Sequence, residues 1–399
     1  MSEAARVARR IGVAERRARL GLRHHLVRPT TSAERVAGDL AGLHSSDPPT
    51  PFVSSWARVK GFAPEELEDG LYVRRTLLRM VGMRRTLFVV PLELAAVVDA
   101  ACTKALVPRE RARLTRMLED HGHARPGGGE RWIDRVSRKT LDVLRDRGEA
   151  SARELTKEIP ELAAKFPYGE GRSWGGAMGA STRILFLLSI EGEATRSRPV
   201  GTFASGQYRW ASMDAWLERP LPEIDHETAC AELLRRWLAA FGPGTMRDIR
   251  WWTGWTAGLT ARTLEAVEAA EVRLSDATGY VLPDDLDPIG EVDPWAALLP
   301  ALDPTVMGWK ERGWYLRDEH VSRLFDVNGN AGPTVWSNGR IVGGWWQDGD
   351  GKIALKLLSR VDAPTRRAIE RERDRLEAWL GDVRLRLRFP TPLQRSLKA

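Results

Sequence analysis

A short polar cluster, His44-Ser45-Ser46-Asp47, stands just before Pro48-Pro49 and combines residue types that can do acid–base chemistry. An imidazole with a reference pKa of about 6.5 can accept a proton near neutral pH, and a carboxylate can supply negative charge. A purely structural explanation is equally open. The apolar register of residues 32–43 predicts a helix, and the cluster would then end that helix and begin the Pro48 turn.

Composition favours a globular protein with a nucleic-acid partner. The chain has 399 residues, is 43% hydrophobic, and carries a net charge of +7, with a pI of about 9.6. Most of its 61 basic residues are arginine, which suits bidentate contacts to phosphate but is also what a GC-rich genome produces. Two distant cysteines argue against a disulfide framework, and no signal peptide or membrane-spanning run is visible. We therefore expect a cytoplasmic, nucleoid-associated protein with no membrane partner.

The order of helix signals followed by strand signals occurs three times, which is typical of winged-helix units. Two of these units contain a capping box, Ser151 with Glu154 and Thr245 with Asp248. A Gly- and Pro-rich linker, "HGHARPGGGE", separates the first two units. The predicted boundaries are 1–122, 130–215 and 225–283 for the three units.

The remaining part of the chain, 284–399, has the pattern of a β-rich domain. Asn338-Gly339 and Asp348-Gly349 each lie between strand-like runs, and Asn-Gly is a strong hairpin signal. The segment 382–389, "DVRLRLRF", alternates strictly and predicts a strand with its arginines on one face. The fold class expected is α+β, with three tandem winged-helix units followed by a barrel-like C-terminal domain.

Two stretches, 71–90 and 194–211, contain several arginines and no acidic residue. The second coincides with the predicted wing of the second unit, and wings commonly meet the phosphate backbone. A solvated surface that is merely basic is the alternative for any one stretch. The DNA-binding residues predicted from these and neighbouring positions are Arg84, Arg85, Thr86, Arg183, Arg196, Arg198 and Arg209.

Several longer motifs resemble one known family. They are "GLHSSDP", "LLRMVGMRRTLFVVP", "GPGTMRDIRWWTG", "LLPALDPTVMGW", "LFDVNGNAGPTVW" and "GRIVGGW". Together they are similar to the winged-helix DNA-binding domain-containing proteins that include the azinomycin-resistance and interstrand-crosslink DNA glycosylases. The resemblance covers nearly the whole chain and implies removal of alkylated purines from DNA.

The resemblance also implies roles for the polar cluster His44–Asp47. Active members of the family carry glutamine, an apolar residue, and then glutamine or aspartate before the "DP", and these polar groups position water and stabilise a sugar cation. Here the matching residues are His44, Ser45 and Ser46, and the family's strand histidine is Phe88. In this interpretation His44 accepts a proton from water, Ser46 is a second hydrogen-bond partner, and Asp47 supplies negative charge.

The function predicted is that of a monofunctional DNA glycosylase acting on N7-alkylated purine or crosslink adducts. No nucleotide-binding glycine motif or zinc spacing is found, so neither a cofactor nor a metal is expected. A monomer that binds duplex DNA, damaged or undamaged, is expected. Two alternatives remain: a DNA-binding regulator or lesion binder without catalysis, and a protein that sequesters an antibiotic.

Overall fold

The fold is α+β, as the sequence predicts. The computed structural model describes residues 9–168, 176–275 and 277–396. Helices and strands alternate along the whole described chain, and the strands form five small antiparallel sheets.

The N-terminal part surrounds a three-stranded sheet of order β1-β3-β2 with helices. The second helix ends at Asp39, earlier than the sequence predicts, because Ala41 and Gly42 adopt positive φ angles of 52° and 109° and turn the chain into β1. The cluster His44–Asp47 therefore begins in a strand, because His44 is the last residue of β1. The elements are α1 (Val13–Arg23), α2 (Ala33–Asp39), β1 (Leu43–His44), α3 (Thr50–Trp56), α4 (Pro64–Tyr72), β2 (Leu77–Val81), β3 (Leu87–Pro91), α5 (Leu92–Val98) and α6 (Val107–Asp120).

The next part packs three helices on a sheet of order β4-β8-β7. The predicted capping box of Ser151 and Glu154 is confirmed, with both of its hydrogen bonds present. The two strands predicted for the wing are also confirmed, as the antiparallel pair β7 and β8. The elements are α7 (Gly129–Arg147), β4 (Ala150–Ser151), α8 (Ala152–Glu158), β5 (Lys165–Tyr168), β6 (Gly176–Gly179), α9 (Ala180–Ile190), β7 (Ala194–Pro199) and β8 (Tyr208–Ser212).

The third part repeats the order of helices followed by a hairpin. The capping box of Thr245 and Asp248 is confirmed, and Gly254 ends the helix with a φ of 83°. This left-handed conformation is one that glycine adopts without strain. The elements are α10 (Met213–Trp216), α11 (His226–Phe241), α12 (Met246–Thr253), α13 (Ala257–Ala266), β9 (Ala270–Arg273) and β10 (Thr278–Val281).

The C-terminal part holds an open four-stranded sheet of order β11-β12-β13-β14, so the barrel-like expectation is wrong for the described residues. Asn338 and Gly339 both have positive φ, which confirms the predicted hairpin turn between β12 and β13. The elements are β11 (Ala296–Leu299), α14 (Pro304–Met307), α15 (Asp318–Leu324), β12 (Thr334–Ser337), β13 (Arg340–Gln347), β14 (Ile353–Leu357), α16 (Ala363–Leu380) and α17 (Pro392–Ser396).

The segment 382–389 is not a strand, which corrects the sequence prediction. Its backbone meets the side chain of Gln347 instead of a neighbouring ladder. The Gln347 amide accepts from the N–H of Leu385 at 2.8 Å and donates to the carbonyl of Val383 at 3.0 Å. The alternation itself holds, because the arginines are exposed and the apolar side chains between them are half-buried.

Two main hydrophobic cores support these parts, and a small third cluster contains Ile11, Val272, Leu274 and Val281. One lies within residues 81–210 and is built mainly from α6, α7, α8 and α9. The larger core runs from Leu20 to Leu393 and joins the N-terminal, third and C-terminal parts, with Phe203 and Ala211 contributed by the second part. All four predicted domains therefore contribute to this core, the second one through only two buried residues.

A buried ion pair fastens α3 to the C-terminal part inside the larger core. The guanidinium of Arg58 donates to both carboxylate oxygens of Asp303, at 2.7 and 2.9 Å, and both side chains are fully buried. Ser54 donates to the same carboxylate at 2.6 Å. Burial alone would raise the pKa of Asp303, but Arg58 and Ser54 hold it below its usual value. The pair therefore stabilises the fold at neutral pH, and that contribution is lost as the pH falls through this lowered pKa.

Substitution of Asp303 by asparagine is expected to reduce the free energy of unfolding by about 3–5 kcal/mol, because Arg58 would remain buried without its counter-charge. Urea unfolding followed by tryptophan fluorescence measures the change. The matched control is Glu319→Gln, which removes the exposed pair with Arg317 and should cost less than about 1 kcal/mol. Similar losses of unfolding free energy in both variants would show that the buried pair contributes no more to stability than an exposed one.

Candidate active site

The cluster His44–Asp47 pairs with β3 at its start and leads into α3 at its end. His44 pairs with Phe88 in the register of β1 and β3. The Ser45 N–H donates to the carbonyl of Leu87 at 2.7 Å, and the Leu87 N–H donates to the Ser46 hydroxyl oxygen at 3.2 Å. These bonds fix the cluster as a rigid turn, so the expectation that it ends a helix is wrong.

His44 is almost completely buried, with 4% of its surface exposed, and its ring centroid lies 5.1 Å from that of Phe88. Its Nδ1 accepts the Ser46 N–H at 3.3 Å, which assigns the proton of the neutral ring to Nε2. Burial, and then the nearby positive charge of Arg84, lower the pKa of His44 to about 3. The sequence-based role of His44 as a proton acceptor therefore does not fit; it can offer a hydrogen bond from Nε2.

Asp47 is buried as well, but burial has the opposite effect on an acid. Loss of solvent raises the pKa of the Asp47 carboxyl to about 6, against a partial lowering by Arg388. The Arg388 N–H donates to one carboxylate oxygen at 3.4 Å. A carboxylate with a pKa near that of the medium is suited to accept a proton or to stabilise a developing cation.

The two serines have different surroundings. Ser45 is fully buried, and its hydroxyl accepts from Nε of Arg79 at 2.9 Å. Arg79 also donates to the Tyr72 hydroxyl at 2.7 Å and lies over the ring of Tyr208. Ser46 is partly exposed, so its hydroxyl hydrogen remains free to turn toward a bound molecule. Ser45 belongs to the scaffold, and Ser46 to the accessible face.

A second group of side chains lies near His44, at the turn between β2 and β3. Arg84 and Arg85 both have positive φ angles, 53° and 62°, which are uncommon for residues with a Cβ and cluster at functional sites. Arg84 stacks on Trp251 at 3.9 Å, and Arg312 lies over the same ring at 4.9 Å. Burial, and then Arg312, lower the pKa of Arg84 to about 10. Sequence reasoning missed Arg312 and Trp251, since they lie far from Arg84 in the chain.

Several of the arginines predicted to bind DNA meet acidic partners from elsewhere in the chain. Arg85 forms a bidentate pair with Glu110 at 2.8 and 2.9 Å. Arg198 pairs with Glu68, and Arg209 pairs with Glu149 and Glu154. Although each stretch lacks acidic residues, these arginines are paired with acids from other segments, and their roles in DNA binding stay predictions.

The other predicted positions are more enclosed. Arg196 stacks on Trp210 at 4.3 Å, and burial lowers its pKa to about 10. Arg183 is half-buried beside Arg113, and the Thr86 hydroxyl donates to the carbonyl of Met83 at 2.9 Å. Their roles in DNA binding stay predictions.

Asp47 also lines a cavity of about 570 Å³, which sequence reasoning did not foresee. Arg384, Arg386 and Arg388 form one wall, and the loop between β7 and β8 forms another. The alternation in 382–389 already predicts that these three arginines lie on one face of the segment. What sequence could not show was that the segment passes beside Asp47. Within the described ranges no cluster of histidine, cysteine, aspartate or glutamate is arranged to hold a metal ion.

The chain is similar to known proteins in both sequence and structure. A sequence model described as "DNA glycosylase AlkZ-like" matches residues 37–379, which is most of the chain. The chain belongs to the AlkZ-like DNA glycosylase family. The DNA glycosylase AlkZ of Streptomyces sahachiroi has a similar structure, with a TM-score of 0.70 and 18% sequence identity, over 95% of this chain and 99% of that one. No curated protein gives a significant match.

Membership in the AlkZ-like family confirms the resemblance seen in the sequence and implies DNA repair, DNA binding and hydrolysis. At 18% identity the likeness to the Streptomyces enzyme shows a shared fold. The family match includes the His44–Asp47 cluster and ends before Arg384. Of the described helices, none combines the length and the apolar character that crossing a membrane requires.

Replacement of Asp47 by asparagine is expected to stabilise the protein at pH 8 by about 1–3 kcal/mol. The raised pKa means that the folded state disfavours the ionised carboxyl, so stability is highest below the unfolded pKa of 3.8 and falls as the pH rises through about 6. Urea unfolding of both proteins at pH 3.5 and pH 8 tests this. The gain should vanish at the lower pH, and an asparagine variant that is less stable at pH 8 would contradict the assignment.

Proposed function

We propose that the protein is a monofunctional DNA glycosylase that hydrolyses the N-glycosidic bond of N7-alkylated purines, including crosslink adducts, in duplex DNA. This proposal rests on the surroundings of Asp47. Its carboxyl has a pKa raised to about 6, is held rigidly at the start of α3, and opens onto a cavity large enough for part of a nucleotide.

Hydrolysis of this glycosidic bond needs only modest help from the protein, because the alkylated base is already a good leaving group. Alkylation at N7 makes the purine cationic, so the base leaves with the electron pair of the bond between C1′ and N9. An oxocarbenium-like sugar remains, and a carboxylate beside it stabilises that positive charge. Water then attacks C1′, and Asp47 accepts the proton that the water releases. The products are the free alkylated base and an abasic site.

The other members of the cluster serve Asp47 in this proposal. His44 stays neutral and donates a hydrogen bond from Nε2, which holds the attacking water by its oxygen. Ser46 offers its hydroxyl hydrogen on the accessible side, while its oxygen accepts from Leu87. The glutamines expected from the family are thus replaced by two donors of different geometry, and proton transfer falls to Asp47.

Duplex binding in this proposal rests on the positive charge of the molecule and on the repeated units. Each of the first three parts presents helices followed by a hairpin, which supports three tandem winged-helix units with boundaries near 1–122, 130–215 and 225–283. Arg84 and Arg312 add positive charge on the His44 side of the cluster. A nucleoid-associated monomer is the form of the protein that we propose.

A second candidate is a family member that binds DNA lesions without excising them. The observation that favours it is the His44 ring, which is buried, bonded to the backbone and too weakly basic to take a proton. Incubation with duplex DNA containing 7-methylguanine, followed by alkali, separates the two candidates. Strand breaks above the rate without protein support excision, and tight binding without breaks supports the alternative.

Asp47→Asn is expected to reduce single-turnover excision of 7-methylguanine by at least about 100-fold, since general-base groups contribute rate factors of this size. DNA affinity should stay within a few-fold, because the carboxylate acts mainly in the transition state. His44→Ala should cost only about 3- to 10-fold, the worth of one neutral hydrogen bond. Asp374→Asn, at an exposed aspartate on α16, is the control. Equal losses for the His44 and Asp47 variants would remove Asp47 from its proposed role.

The rate of excision is expected to rise with pH around a midpoint near 6 and to become level about one pH unit above it, up to pH 8. Only the ionised carboxyl of Asp47 accepts a proton, and its pKa of about 6 sets the midpoint. His44, with a pKa of about 3, adds no inflection in this range. A pH–rate profile of the parent and of His44→Gln measures this. A midpoint that moves in the His44 variant would assign the titration to His44 instead.

A further inference from the structure

The cavity beside Asp47 is formed by three segments that are distant in sequence. Asp47 and Pro48 contribute one side, the loop 202–207 between β7 and β8 contributes another, and the segment 384–388 closes it. The loop is fixed in place because Phe203 stacks on Phe52 of α3, with ring centroids 4.6 Å apart. The cavity is therefore part of the packed structure.

Positive charge dominates this cavity, since three arginines and one aspartate line it. Arg384 is tied to its own segment and to the preceding turn, through the carbonyls of Gly381 at 2.8 Å and Asp350 at 3.0 Å. Arg388 donates to the Ser46 carbonyl at 3.3 Å. Arg386 is exposed and has no hydrogen bond or ion pair within the described residues. One guanidinium thus faces the cavity with all its donors available.

Further cations lie behind the cavity wall. Arg196 is close enough to Arg388 and Arg79 for both to disfavour its charged form. One guanidinium nitrogen of Arg196 and the hydroxyl of Tyr208 are buried without a hydrogen-bond partner in the described structure. The acids near this group are Asp47 at the cavity and Glu68 near Arg79, and two carboxylates do not balance the charge of these arginines. The region is thus prepared for an anion.

The lining also decides which part of a nucleotide fits. It contains no aromatic ring on which a base could stack, and its arginines would repel a purine made cationic by N7 alkylation. A phosphate has the opposite preference, because guanidinium groups bind phosphate oxygens through charge-assisted hydrogen bonds. The base must therefore lie elsewhere, and the backbone belongs here.

We propose that this cavity is a phosphate-binding subsite, in which Arg386 and Arg388 hold the backbone phosphate next to the nucleotide whose glycosidic bond is cleaved. The proposal rests on the proposed function for the identity of that nucleotide. Because Arg388 also bonds to the Ser46 carbonyl, a bound phosphate is linked directly to the loop that carries Asp47. The same phosphate persists in the abasic product, so the subsite holds substrate and product alike.

The test measures binding, so that it does not depend on excision. The probe is a duplex with a tetrahydrofuran abasic analogue, made with normal phosphates or with one uncharged methylphosphonate on the 5′ or the 3′ side of the analogue. Fluorescence anisotropy gives the affinity of the parent, Arg386→Gln, Arg386→Lys and the control Arg371→Gln. Arg371 is an exposed arginine on α16, outside the cavity.

For Arg386→Gln we expect about tenfold weaker binding to the normal duplex and a salt dependence reduced by about 0.9 in the slope of log affinity against log salt. With the methylphosphonate at the contacted position, the variant and the parent should bind equally. Arg386→Lys should retain part of the affinity, and Arg371→Gln should lose no more with one duplex than with another.

Loss of affinity that is the same on every duplex would overturn the subsite. An unchanged affinity in Arg386→Gln would do so as well. The outcomes also distinguish this proposal from the proposed function. Coupling between Arg386 and one phosphate in a protein that excises nothing would keep the subsite and reject the glycosylase, whereas excision without that coupling would do the reverse.

Discussion

The buried pair of Arg58 and Asp303 determines where the candidate active site can be. Arg58 follows α3, and α3 begins directly after the Asp47 loop, so the pair fixes both the depth and the direction of that helix. Asp303 belongs to the C-terminal part, which also contributes the segment 384–388 beside Asp47. A desolvated ion pair is stable only with its geometry complete, so the two distant parts of the chain are held in one arrangement.

Burial then produces opposite chemistry at two neighbouring side chains. Loss of solvent disfavours the charged form of each group, so it lowers the pKa of His44 and raises that of Asp47. The imidazole becomes a fixed neutral donor, and the carboxyl becomes a group that titrates near neutral pH. A loop that carries a buried carboxyl loses some folding stability, which is a common property of functional sites.

Arginine performs several different tasks in this molecule. Arg58 and Arg79 are internal and organise the core around the cluster. Arg85 and Arg198 are paired with acids. Arg84 stacks on an aromatic ring, and Arg386 is exposed at the cavity. One residue type thus organises the core, forms ion pairs with acids and provides the proposed DNA contacts. Composition alone cannot separate these uses, because the partners of each arginine come from distant segments.

Local sequence determined what local physics controls: the capping boxes at Ser151 and Thr245, the Asn338-Gly339 hairpin, the alternation of 382–389 and the family motifs around Asp47. Each of these depends on neighbouring residues through backbone conformation or short-range hydrogen bonds. Tertiary structure alone decided the rest. It placed His44 in a strand beside Phe88, supplied acids to arginines that lack them locally, kept 382–389 out of the sheet through Gln347, and set the pKa of Asp47. Burial and long-range pairing cause these outcomes, and both depend on contacts between residues from tens to hundreds of positions apart.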